Sequence, residues 1–354
     1  MKQLRKTAKM RVKMTAFEEI FNKESCFIME GALGLRLQRE FGLQPDTNAA
    51  LALTVRSERG RAALNTLWRE YYGIASNFGL PFLAATPTRR LDSARAAAGG
   101  LGRELIAENL DFMRGVLRRA QHDAEKNEHR VGEDISVKPC AVCGEGKPSE
   151  WFAGGTVGCF GDAYTGRGCL ECGESEKYHA WEIEAFARAG ADYILAALQP
   201  SAAEAAGIAR CAHTAGLPVI ISFCIDDNGS LPCGESINDA IEFIDRVSGN
   251  APLCYMANCV HPDTLFRALM PEQNRTETVK RRFMGLQANA SPLPHALLEG
   301  AQSVQSSSPE QLAQGMSRLG QIISMKLWGG CCGTNGEHMK SIAAAAAQYS
   351  RAQR

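Results

Sequence analysis

Two cysteines stand side by side, Cys331 and Cys332, in the segment LWGGCCGTNGEHM, and a third, Cys259, lies in MANCVHP. Three thiolates with one open position form a recognised type of catalytic zinc site. The flanking Gly329, Gly330 and Gly333 let the backbone turn so that adjacent side chains can both reach one ion. A disulfide between Cys331 and Cys332 is the poor alternative. Neighbouring Cα atoms lie about 3.8 Å apart, short of the usual disulfide range. The plain structural reading is three small buried hydrophobes in a chain with 13 cysteines. On position alone both readings stand.

For these thiols to meet, the elements between them must return the chain to one place. Eight short apolar runs recur: Cys26–Met29, Pro81–Ala85, Trp151–Val157, Tyr193–Leu198, Pro218–Cys224, Leu253–Ala257, Arg282–Leu286 and Met325–Trp328. Near-continuous apolarity over four to seven residues is what parallel strands buried on both faces require. Helical patterns alternate with the later runs, over Tyr178–Ala189, Ala202–Ala215, Ile237–Val247, Pro309–Ile323 and Glu337–Tyr349. Gly216 serves as a C′ glycine, Ser308 as an N-cap and Pro309 as N1. Eight β/α units predict an α/β fold, a single (β/α)8 TIM barrel. A doubly wound open sheet is the alternative, but no GxGxxG follows the first run. Cys259 follows the sixth run and Cys331–Cys332 the eighth, so a barrel puts all three on its C-terminal rim.

The chain has 354 residues, 45% hydrophobic, with 39 basic against 39 acidic side chains. Zero net charge removes the electrostatic case for a nucleic-acid partner. No uncharged apolar run approaches the roughly 20 residues of a membrane span. The opening MKQLRKTAKMRVKM is basic without an apolar stretch behind it, so a secretory signal is not supported. Residues 1–16 read as a basic tail and 17–350 as the barrel. Cysteines in a chain of this size point to reduced thiols, hence a cytoplasmic location. Self-association into a homo-oligomer is open, with no decisive apolar patch.

The segment GGCCGTNGEHM resembles the C-terminal signature of the homocysteine S-methyltransferase family, which includes betaine–homocysteine methyltransferase. The pair Asn258–Cys259, the opening Met29–Leu37 (MEGALGLRL) and Phe152–Tyr164 are similar to further family segments. Ser222–Gly229 and the Asn289 region match weaker ones, so the resemblance spans about residues 25 to 348. It implies a (β/α)8 barrel with one Zn2+ held by Cys259, Cys331 and Cys332. It implies Glu30 as the contact for an acceptor's amino group, and Asn258 and Thr86 as further site residues. The implied activity moves a methyl group from a small sulfonium or ammonium donor to a thiol acceptor, homocysteine becoming methionine. Chemistry agrees: the nucleophile must be a thiolate, and zinc ionises a bound thiol near neutral pH.

The match is imperfect. The family's first-strand Asp is Glu30 here. Its usual fourth-strand Glu, which helps hold the homocysteine amino group, aligns with Ala197; Gln199 is near but neutral. One lost charge-assisted hydrogen bond costs about 1.5–3 kcal/mol. A different thiol or selenol acceptor, or a non-catalytic zinc- and thiol-binding barrel, are the competing readings. Thr86 and Thr88 can line the mouth or be ordinary loop residues. Trp151 and Trp181 read as packing rather than a cation–π cage, and His261 and Asp263 as helix-start residues.

Cys140 and Cys143 (CAVCG) and Cys169 and Cys172 (CLECG) form a Cys-rich insertion around 138–175. Two such knuckles ordinarily signal a structural zinc. Here the third strand, roughly 20 Å long, separates them. Residues 144–150 could carry the first knuckle back over the rim. The alternative is two exposed pairs in long loops.

Overall fold

The computed structural model describes residues 14–131, 149–226, 228–293 and 306–353. Eight parallel strands close into a barrel in chain order: β1 (Phe27–Met29), β2 (Phe82–Ala85), β3 (Trp151–Val157), β4 (Tyr193–Gln199), β5 (Val219–Phe223), β6 (Pro252–Val260), β7 (Phe283–Ala288) and β8 (Leu327–Gly330). Closure is made by β1 pairing β8, Phe27 with Leu327 and Ile28 with Trp328, which rules out the open sheet. Every apolar run became a strand. The largest difference is β6, which runs on through Asn258 and Cys259.

The described helices are α1 (Ala16–Lys23), α2 (Gly34–Arg39), α3 (Glu58–Asn77), α4 (Ser93–Ala98), α5 (Glu104–Val131), α6 (Cys172–Arg188), α7 (Ala202–Thr214), α8 (Ile237–Ser248), α9 (Pro262–Ala268), α10 (Glu277–Arg282), α11 (Pro309–Leu319) and α12 (Gly336–Ala352). Ser308 caps α11 in a reciprocal box with Gln311, and Gly216 sits at φ 73° just past α7. α6 starts earlier than its apolar pattern does. Its first turns bury Ser175 and His179 against α7, a polar contact that hydrophobic periodicity cannot register.

Strand side chains sort into two cores. One set packs outward against the helices; the other fills the barrel axis, with Phe27, Leu83, Phe152, Tyr193, Ile220, Cys254 and Leu327 among its members. The floor is closed by α1. Thr15 and Glu18 form a capping box, and Phe17 packs on Phe152 and Tyr193 with ring centroids 5.0 Å from each. Lys326 Nζ anchors this helix by donating to the Phe21 carbonyl. Among the described residues, aromatic rings close this end of the barrel axis, which leaves the C-terminal rim as the open end for a ligand. Trp151 sits at the start of β3 and donates to Gln121, while Trp181 lies under the Arg103 guanidinium; both are packing residues.

Candidate metal centre and its cavity

The ends of β6 and β8 carry three thiols to one point. The Sγ atoms of Cys259, Cys331 and Cys332 all lie within 4.8 Å of one another, and Cys259 and Cys332 are 3.5 Å apart. Tetrahedral zinc with Zn–S bonds of about 2.3 Å needs sulfurs roughly 3.8 Å apart, so the donor set fits that ion. All three are free thiols.

Local backbone explains the convergence. Cys259 has φ 63°, left-handed for a residue with a side chain, so its thiol leaves the alternation of β6. Its neighbour Asn258 holds the geometry. Asn258 Oδ1 accepts from Leu198 N at 3.0 Å and Ser222 Oγ at 2.6 Å, tying the ends of β4, β5 and β6. Leu198 is itself left-handed, at φ 53°. Registers slip beside both residues, as bulges near active sites do. On β8, Cys331 N donates to Ala288 O at 2.7 Å and Cys332 O accepts from Ala290 N at 3.0 Å. Gly330 admits no Cβ, because the Thr334 hydroxyl occupies that space, and Gly333 turns the chain at φ 81°.

Three thiols this close cannot all ionise unaided. Hydrogen bonds from Cys331 and Cys332 hold Cys259 well below the usual thiol range, while the same contacts push Cys331 and Cys332 up. The three cysteines could hold a divalent cation, whose charge would remove that conflict by favouring all three thiolates. The Tyr164 hydroxyl, brought by the loop after β3, also hydrogen-bonds Cys259 and favours its thiolate. Asn289 Nδ2 donates to the same sulfur at 3.8 Å.

Beside the thiols opens a cavity of about 280 Å³, lined by Glu30, Thr86, Asn258 and the three cysteines among others. The barrel thus brings Glu30, Thr86, Asn258 and the three cysteines around one cavity. Glu30 is buried, and its Oε1 accepts from Trp68 Nε1 and Ala85 N, both at 2.9 Å. Burial raises its pKa to about 7 against the pull of those two donors. Thr86 is differently used. Thr88 spends its one hydroxyl proton on Thr156 O, so Thr86 donates to Thr88 and accepts from Thr156 N. Its hydroxyl shapes the wall.

The fourth-strand wall is apolar, formed by Leu195, Ala197 and Leu198. Gln199 does not replace the missing carboxylate: it is fully buried, donates to Ala197 O and does not line the cavity. Sequence reasoning missed Arg89 and Arg90, which line the same cavity, and the role of Tyr164. The RR pair directly after Thr88 was the available signal.

The family model for homocysteine S-methyltransferases matches residues 27–346. The chain belongs to the homocysteine S-methyltransferase family. Solved structures agree on the fold. The metallated form of the homocysteine methyltransferase MmuM from Escherichia coli superposes with TM-score 0.65 at 17% identity, covering 92% of this chain and 98% of that one. The oxidized form gives 0.66 at 18%, covering 93% and 99%, and the apo form 0.59 at 17%, covering 92% and 98%. A comparison with curated protein sequences returns no match.

This methyltransferase holds its third-strand loop with a buried carboxylate. Glu204 accepts from Phe160 N, Leu170 N and His179, whose other ring nitrogen meets Glu182 at 2.5 Å. Burial alone would lower His179, but the bonds to Glu182 and Glu204 outweigh it and carry it to about 9. That network fixes the segment bearing Tyr164. Of the knuckle cysteines, Cys140 and Cys143 lie outside the described residues. Cys172 opens α6, and Cys169 has Cys233 as a thiol neighbour. Among the described residues, the rim thiols are the one cluster of metal-ligating type. His261 caps α9, its ring accepting from Asp263 N, as a helix-start residue does.

Proposed function

We propose that this chain is a zinc-dependent S-methyltransferase moving a methyl group from a small sulfonium or quaternary ammonium donor to homocysteine, giving methionine. The convergence of three sulfurs on the rim of a plugged barrel carries this reading. Zinc held by Cys259, Cys331 and Cys332 would supply an open position at which a substrate thiol ionises. The new bond forms between that sulfur and the methyl carbon. The bond from methyl to the donor heteroatom breaks, its electron pair leaves with the donor, and the thiol proton passes to solvent. No general base is then required of the chain.

The protein's own residues orient and hold. Glu30 has one oxygen engaged by Trp68 and Ala85 and the other unused by those bonds, placed for an acceptor ammonium. Asn258 is a positioning residue: its amide keeps the strained Leu198–Cys259 corner in place. The plugged floor and apolar fourth-strand wall limit water around the reacting sulfur. Eleven described cysteines are all free, in keeping with a reducing compartment such as the cytoplasm. No helix among the described residues is long and apolar enough to cross a membrane.

The test is elemental analysis under reducing conditions, followed by homocysteine with sulfonium and betaine donors. About one zinc per chain and zinc-dependent methionine are expected; two would add the knuckle site. No product with any donor would remove homocysteine as acceptor. Ala197 favours one second reading, a methyltransferase for another thiol or selenol.

A further inference from the structure

Two arginines line the thiol cavity, and nothing in the reading above uses them. Arg89 and Arg90 follow Thr88 on the loop after β2. Nearby arginines are committed: Arg95 pairs with Asp92, and Arg36 with Glu40 and Glu70. Among the described residues neither Arg89 nor Arg90 forms an ion pair or a side-chain hydrogen bond, and Asp92 adds only a weak attraction at Arg90. The acidic lining is sparse by comparison: Glu30 is the one carboxylate among the described lining residues, and the fourth strand presents Ala197. A cavity lined by two arginines without an ion pair and by one carboxylate suits a ligand with a dominant anionic end.

We propose that Arg89 and Arg90 are specificity-determining residues that take the carboxylate of the thiol acceptor, so that this enzyme reads its acceptor more by its anionic end than by its ammonium. The proposal rests on the thiol-methylating reading and names the acceptor class, a carboxylate-bearing thiol. The cavity is small, about 280 Å³, so a ligand whose sulfur reaches Cys259, Cys331 and Cys332 has its far end within reach of this loop. Partial burial, with Arg95 and Arg89 as like-charged neighbours, lowers the pKa of Arg90. A bound anion relieves that crowding.

The experiment is calorimetry on zinc-loaded protein with three thiols: homocysteine, 4-mercaptobutyrate without the amine, and 3-aminopropanethiol without the carboxylate. Loss of the carboxylate is expected to weaken binding roughly tenfold or more, and by more than loss of the amine. An Arg89→Gln/Arg90→Gln double variant should weaken homocysteine and 4-mercaptobutyrate by a similar factor and leave 3-aminopropanethiol unchanged. The reverse ranking overturns the proposal, as does no binding of any thiol. Equal weakening of all three assigns the arginines to the cysteine sulfurs and overturns it too. A change confined to donor affinity gives the carboxylate to the donor, with the same consequence. If the variant does not fold, the ranking on unaltered protein still decides. Methyl transfer that proceeds without this ranking sinks the inference alone. The ranking without methionine from any donor sinks the homocysteine reading and leaves the binding assignment standing.

Discussion

The two walls of the cavity are built on different principles. On the β1, β6 and β8 side, each polar group has a backbone reason for its place. Glu30 takes two donors, Asn258 ties three strand ends, and Cys259 projects from a left-handed residue. On the β2 and β4 side the fourth strand offers leucine and alanine, and the second-strand loop offers uncommitted arginines. The first wall supports the chemistry common to thiol methylation, and its parts are mutually constrained. The second would read the acceptor's anionic end, and none of its side chains is one of the three sulfur ligands.

Substitutions that separate the walls can break this comparison. The largest effect belongs to Cys332→Ser or Cys331→Ala. Losing a ligand should exceed the roughly 10–100-fold cost typical of residues that merely support ligands. Elemental analysis and turnover should fall together; zinc retained at one per chain would show that the cluster is not the site.

Glu30→Gln comes next. Replacing a charged acceptor should raise the acceptor KM about 10–150-fold, from the 1.5–3 kcal/mol of such a bond, with kcat less affected. The pH sign follows from its raised pKa, about 7. The carboxylate is ionised above that value and protonated below it. Acceptor KM should therefore climb as pH falls through 7 in the parent and stay flat in the variant. A parallel climb in both would move the titration elsewhere.

Ala197→Glu tests the other wall from the opposite direction. If the pocket is otherwise intact, homocysteine affinity should improve by roughly tenfold. No change would mean that the fourth-strand wall has been rebuilt for another group. Asn258→Ala probes the corner joining the walls. It leaves Leu198 N–H unpaired, which should cost about 1–3 kcal/mol in a denaturant melt. Zinc affinity should fall with it; full stability would show that the left-handed corner holds itself.

Much of the barrel was legible because buried parallel strands must be apolar throughout, and Val219–Phe223 or Phe82–Ala85 leave little else to be. The floor helix was not. Phe17 and Phe21 follow a basic stretch, and nothing local says that they fill the barrel axis. The polar start of α6 was likewise hidden, since its partner is Glu204 from another helix.

Residue type and order by themselves determined the three thiols, the glycines that let two neighbours share an ion, and Glu30 after the first strand. Those are local properties of side chains and strand ends. Only the closed barrel decided that Tyr164 meets Cys259, that Asn258 holds Leu198, and that Arg89 and Arg90 face the same cavity as Glu30. Such contacts join strands far apart in sequence, and their geometry exists only once β1 has paired with β8.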